Sequence, residues 1–421
     1  MATAGGNGDA PESFGAAAHE RPVPRISIQV FHEFPDTAAA LQRASADRRL
    51  AKAHLEVHAG GTNAALEFFK SNPTPNLLVV ETLGQGSAVL GELDLLAEVC
   101  DEATKVIVIG RVNDVQLYRE LVRRGVSEYL VAPLNPLQLI ETISGIYMRA
   151  DAPPIGRVTV FAGARGGTGA STIAHNTAWW IAERLNINTA IVDLDLPFGT
   201  AGLNFNEDPG TGVADALAAP ERLDDVLLDR LLIKCGEHLS LFAAPATVDR
   251  IYDADPSAYE SVIEQVRSGT PCVIVDMPHA WSQWTRQTFL SADEIIIVAT
   301  PDLASLRNTK NMLDLLKNQR PNDLAPRLVI NQTGVPKRPE IPVKDFAAAV
   351  GVEPSAIIPF DPQLFGTASN NGQMLAEVQP AAPASEAIRH LAGLITGRQI
   401  QQTTKKKGGY NFLPFLGRKA G

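Results

Sequence analysis

The amino-acid sequence predicts an α/β chain with two doubly wound parallel-sheet domains in tandem. Short apolar runs of strand length alternate with helical periodicity along most of its 421 residues. That length exceeds one ordinary core, so two domains of roughly 100–250 residues are expected. A Pro/Gly break, ADAPPIG at 150–156, separates two such alternating series.

In chain order, residues 1–22 are rich in Gly, Ala and Pro with little that could pack, and are expected to be a disordered tail. The first series then runs ISIQVF at 26–31, LEVHAG at 55–60, NLLVVE at 76–81, KVIVIG at 105–110 and SEYLVA at 127–132. Each run is followed by a helical pattern, and a parallel crossover needs such a covering helix, so a domain over 23–150 is predicted. After the break a second domain, 151–398, begins with RVTVFA at 157–162. Its further strands are expected at 189–195, 239–245, 272–278, 294–300, 327–332 and 356–361. A Pro/Ala linker is predicted near 379–384, an amphipathic helix near 386–397, and a basic-aromatic tail over 399–421.

Composition excludes several classes of function. Hydrophobic residues at 45% and charged residues at 20% are ordinary for a globular protein. The net charge of −10 argues against general affinity for nucleic-acid phosphates, so no nucleic-acid partner is expected. Cys100, Cys235 and Cys272 show neither metal nor redox spacing and read as buried free thiols. The N-terminal residues lack the pattern of a signal peptide, and no run approaches the about 18 apolar residues of a spanning helix. A cytoplasmic location is the expectation.

The strongest chemical signal is ARGGTGAST at 164–172, between a predicted strand and a predicted helix. Strand, glycine-rich turn and helix form the context of a phosphate cradle, with Gly166, Gly167 and Gly169 permitting close backbone approach. The loop spans Arg165, Gly166, Gly167, Thr168, Gly169, Ala170, Ser171 and Thr172, and the Ser171 hydroxyl is placed to ligate Mg2+. Against the G-x-x-x-x-G-K-[ST] pattern, Ala164 replaces the first glycine and Ala170 replaces the lysine that reaches the β- and γ-phosphates. Asp193 and Asp195 follow one apolar run and Asp276 another, at the strand ends where open α/β sheets carry ligands. Asp276 is expected to hold Mg2+ through water.

RGGTGAST resembles the deviant phosphate loop of the ParA/MinD ATPases, usually K-G-G-x-G-K-[ST]-[ST], and the likeness extends over about 157–395. By that resemblance the cofactors are ATP and Mg2+. Arg165 stands where the family's signature lysine reaches across a nucleotide-sandwiched homodimer, and Asp195 where an acid orients the attacking water. Asn331, Pro359 and Asp361 lie where that family surrounds adenine. Arg165 keeps a positive charge but presents a fork rather than a point charge, and Ala170 removes a charge outright. The departures favour nucleotide binding with slow hydrolysis.

The 26–148 pattern resembles a response-regulator receiver (flavodoxin-like) whose chemistry is missing. The acidic pair reads His32 and Glu33, the phospho-acceptor Glu81, the Ser/Thr position Gly110 and the lysine position Ala132, still followed by Pro133. A docking module incapable of phosphorylation is the expectation. Receiver-like domain, ParA/MinD-like domain and R/K-G-G-x-G-A-[ST]-[ST] loop together resemble the CpaE/TadZ proteins of tight-adherence (Flp-type) pilus assembly. That resemblance implies a localisation factor with pilus-secretion partners. The competing readings are an actively cycling partitioning ATPase and a scaffold with a vestigial site. In the tail, Lys405, Lys406 and Lys407 precede Tyr410, Phe412, Leu413, Phe415 and Leu416, a pattern that suits a weak membrane contact, a solvated disordered end or a docking peptide for a pilus protein.

Overall fold

Apolar runs too continuous for a half-exposed strand need cover on both faces, and they become the central strands of two sheets. The computed structural model describes residues 23–84, 86–147, 155–208, 210 and 212–398. The expected 1–22 tail, most of the 150–156 break and the 399–421 tail lie outside the described residues.

The first sheet contains β1 (Ser27–His32), β2 (His54–Ala59), β3 (Leu77–Glu81), β4 (Lys105–Gly110) and β5 (Glu128–Val131), all parallel in the order β2-β1-β3-β4-β5. β3 is buried at every residue and is flanked by two apolar clusters. One is centred on Leu41, Leu77, Ile107 and Ile140, the other on Phe31, Leu78, Val108 and Leu121. Burying an aliphatic side chain of this size contributes about 1.5–3 kcal/mol.

The second sheet is assembled from β6 (Arg157–Gly163), β7 (Thr189–Asp193), β8 (Ile233–Lys234), β9 (Leu239–Phe242), β10 (Cys272–Asp276), β11 (Glu294–Ala299), β12 (Arg327–Thr333) and β13 (Pro354–Pro359). Its order is β13-β12-β11-β6-β10-β7-β9-β8. Because β6 lies between β11 and β10, the chain crosses to one side of it and then the other. The crevice at such a reversal is where doubly wound sheets take ligands, and the glycine loop leaves from the end of β6.

Three expectations need correction. The second sheet is mixed, because β8 pairs antiparallel with β9. Two residues on a sheet edge carry too little pattern to be read from sequence. The 379–384 segment is no linker: Ala382 and Ala384 are buried, and the helix Pro383–Thr396 packs Ile388, Leu391 and Ile395 into the core. Proline at a helix start and small buried alanines mimic a linker's composition. Cys272 is buried, but Cys100 and Cys235 are only partly so.

The two sheets meet through charge. Arg48, after the first helix, reaches Asp323 (3.0 Å) and Asp293 (3.2 Å), while Arg49 pairs with Asp47 (3.0 Å) and with Asp323. Asn322 donates to Asp47, and Arg267 holds the other oxygen of Asp293 at 3.0 Å.

Candidate functional site

Beyond β6 the backbone turns through 164–169 and enters the helix Ala170–Leu185. The turn needs left-handed backbone at Gly167 (φ +78°) and Gly169 (φ +84°). A Cβ on Gly169 would lie 2.6 Å from the Asn331 amide nitrogen. Side chains from the end of β12 and from the helix Leu303–Gln319 hold the loop by its carbonyls. Asn331 donates to Thr168 O (2.8 Å), Gln332 to Gly167 O (3.0 Å) and Asn308 to Ala164 O (2.8 Å). With these carbonyls tied down, the helix start presents the N–H groups that helices leave unsatisfied in their first turn.

Ser171 and Thr172 lie in the first turn of that helix, and Ala170 brings no charge. Arg165 binds its own chain: Nε and Nη2 both donate to Asp302 Oδ2 at 3.1 Å. Burial would raise the Asp302 carboxyl, but the Ser305 N–H, the Thr300 hydroxyl and Arg165 outweigh it and hold it at about 2.

β7 and β10 end beside each other, with Asp193 opposite Asp276 in register. Both are buried, at 1% and 2% exposure. Burial raises the Asp193 carboxyl well above the usual range, and the adjacent Asp276 adds to the effect. Asp193 accepts N–H bonds from Asp195 (3.1 Å) and Ala201 (3.2 Å), so its role is to shape the loop that follows. Asp195 lies in that loop rather than in the strand, half-buried; burial raises its carboxyl, the Phe198 N–H opposes this, and Asp276 adds to it.

The remaining expected residues are spread along β12 and β13. Asn331 is buried and engaged with the loop backbone. Pro359 ends β13, and Asp361 caps the helix Pro362–Asn371 by accepting the Leu364 N–H at 3.0 Å. Sequence reading missed Asp302, Asn308, Gln332 and His175. His175 follows Ser171 by one helical turn, a spacing that puts both on one helix face.

At the end of β3, Glu81 is fully buried and turned inward. It accepts the N–H groups of Glu33 (2.9 Å) and Phe34 (3.0 Å) and the Thr37 hydroxyl (2.8 Å). The carboxylate thus stabilises the start of the helix Pro35–Ser45. A Cβ on Gly110 would lie 2.1 Å from the Tyr129 hydroxyl, which excludes a Ser or Thr in this arrangement. The nearby cation is Arg111, 3.6 Å from Glu81, rather than a residue at position 132.

The family described as "Cellulose biosynthesis protein BcsQ" matches residues 157–338. The crystal structure of the pilus assembly protein CpaE from Caulobacter crescentus CB15 is 49% identical over 31% of this chain and 98% of its own, with a TM-score of 0.30. That match falls on the N-terminal domain. A ParA family ATPase from Chlorobium tepidum TLS is 28% identical over 56% of this chain and 98% of its own, with a TM-score of 0.51. The septum site-determining protein MinD of Synechocystis is 25% identical over 58% of this chain and 91% of that protein.

Proposed function

Because the chain belongs to the CpaE family of pilus assembly proteins, within the ParA/MinD superfamily, we propose that it is an ATP-binding localisation and assembly factor for a tight-adherence (Flp-type) pilus secretion machine. The observation that carries this reading is the glycine loop at the sheet's reversal point, with Asp276 at the end of β10 and Asp195 in the loop that follows β7.

The residues fit a nucleotide. Gly167 and Gly169 keep the loop free of Cβ atoms where phosphate oxygens would approach, and Asp276 Oδ1 is a buried oxygen without a hydrogen-bond partner among the described residues. The N–H groups of 166–171 would cradle the phosphates, Ser171 and Asp276 would hold Mg2+, and Asn331, Pro359 and Asp361 border the side assigned to adenine. When bound, Mg2+·ATP supplies the phosphoryl group and the charge that draws two copies together. Asp195 orients water, and the receiver-like domain docks a pilus-secretion partner without phosphorylation. Among the described residues no helix is long and apolar enough to cross a membrane.

Turnover is expected to be slow, because Ala170 removes electrostatic stabilisation of a kind where one lost contact costs about 10²–10³ in rate. Asp195→Ala should abolish the remainder while leaving ATP binding in place; equal phosphate release by the variant would remove Asp195 from its role.

Arg165 must leave Asp302 to reach a partner's phosphates. Sedimentation with ATP is therefore expected to show Arg165→Ala as monomer and Asp302→Asn as a tighter dimer than the parent. An unimpaired Arg165→Ala dimer contradicts the cross-interface role.

For the tail, a chain ending at Thr404 should lose sedimentation with anionic liposomes, since each basic residue near such a surface contributes about 1 kcal/mol. Equal binding by both chains eliminates the membrane contact.

The function itself is tested in a bacterium carrying this chain. Deletion should remove surface pili, and the parent chain but not Gly169→Val should restore them; full piliation in the deletion strain contradicts the proposal.

A further inference from the structure

His175 is fully buried in the helix that carries the phosphate loop, and its Nδ1 lies 2.8 Å from the Asn204 side-chain nitrogen. An amide nitrogen only donates, so Nδ1 is the acceptor of this contact and Nε2 is the ring nitrogen left to donate. Nε2 is 3.2 Å from Asp276 Oδ2, yet it is not aligned for a hydrogen bond and has no other partner among the described residues. His175, Asp193 and Asp276 present donor atoms within 4.8 Å of one another, the spacing of a metal site. With the proton on Nε2, however, the ring faces the carboxylates as a donor and not as a ligand. A buried N–H left unmade costs about 1–3 kcal/mol, which calls for a conformation in which it is used.

Asn204 supplies the link to such a conformation. It ends the short helix Ala201–Asn204, which follows directly on the loop carrying Asp195, and the Ala201 N–H at the start of that helix is held by Asp193. Movement of the Asp195 loop would therefore carry Asn204, and with it the ring. Among the described residues no Lys or Arg side chain pairs with Asp193 or Asp276, and Ala170 provides no lysine nearby.

We propose that His175 is a positioning residue: oriented by Asn204, its Nε2–H engages Asp276 Oδ2 when the Asp195 loop closes, turning Oδ1 toward Mg2+. Hydrogen bonds around an active site are often long in the free protein and align only in the complex. The proposal rests on the reading of this site as a Mg2+·ATP site.

The test uses the full chain with labelled histidine and with ATP. Nitrogen NMR of the free protein should find the His175 proton on Nε2, and added Mg2+·ATP should move that proton downfield. A proton on Nδ1, or no movement on saturation with nucleotide, overturns the proposal. In titrations of Mg2+ at fixed ATP, His175→Phe and Asn204→Ala should each raise the Mg2+ needed for half-maximal binding about 10- to 100-fold, as loss of an outer-shell partner does. Affinity for ATP at saturating Mg2+ should be unchanged, and His175→Gln, which keeps a donor, should recover most of the loss. An unchanged Mg2+ requirement in the folded variants, or a Gln variant no better than Phe, overturns it. Failure of the parent chain to bind ATP sinks the nucleotide reading instead, and is seen before any variant is made.

Discussion

Gly169→Val is expected to abolish ATP binding, the largest single-residue effect in the site. Two independent demands fall on this position. Its φ of +84° is a conformation that a β-branched residue adopts only under strain. Its Cβ would also lie 2.6 Å from the Asn331 amide nitrogen, which is hydrogen-bonded to Thr168 O and cannot retreat without releasing the loop. The substitution therefore displaces the first turn of the helix and its N–H groups together. Equilibrium binding of labelled ATP checks this, with circular dichroism to establish folding; unchanged affinity in a folded variant would sink the phosphate-cradle assignment. Gly166→Ala should by contrast fold as the parent does, because a Cβ there meets no protein atom closer than His279 at 3.8 Å.

The second large effect is expected at Asp323, far from the site. Its carboxylate accepts from Arg48 (3.0 Å), Arg320 (2.6 Å) and Arg49, with 9% of the side chain exposed. Asp323→Ala strands Arg320, for which no other carboxylate partner occurs among the described residues. It also cuts one of the links by which Arg48 joins the sheets, leaving those to Asp293 and the Ser291 carbonyl. Removing one member of a buried ion pair costs about 3–5 kcal/mol, because the other charge stays buried. Urea unfolding should show that loss, with separate transitions for the two α/β units.

The pH dependence at Asp323 has a defined sign. Burial raises its carboxyl, but Arg48, Arg320 and Arg49 outweigh burial and hold it below the ordinary value. An acid whose folded pKa is lowered stabilises fully above its unfolded value, about 4, and loses that contribution as pH falls through the folded value. The stability gap between parent and Asp323→Ala should therefore be full at neutral pH and narrow in acid. A constant gap contradicts the network's role.

Much of this architecture was legible in the sequence, and the exceptions have physical reasons. Continuous runs such as CVIVD and EIIIV admit no amphipathic reading, so the buried strands β10 and β11 stand out. The glycine turn after β6 and the aspartates that end β7 and β10 stand where the sequence reading put them, whereas Asp195 lies two residues beyond its strand. Asp302 was not, since an aspartate before a helix reads first as a cap, and here it both caps and binds Arg165. His175 sits in a helix buried almost all round, where no polar face singles it out. Glu81 could be read as a standing negative charge, but not as one turned inward to hold a helix start, because the direction of a side chain is set by its neighbours. β8 escaped for want of length, and the 379–384 segment because buried alanine and linker alanine look alike.

The proposed function requires that this chain bind ATP at the 164–172 loop and turn it over slowly. Equilibrium binding of labelled ATP to the full chain, with and without Mg2+, followed by steady-state phosphate release, tests it most directly. Saturable, Mg2+-dependent binding is expected, with release far below the about 1–100 s⁻¹ of ordinary phosphoryl-transfer enzymes. No binding would make the site vestigial, and release within that range would make the chain an actively cycling ATPase; either result contradicts an ATP-binding localisation factor with slow turnover.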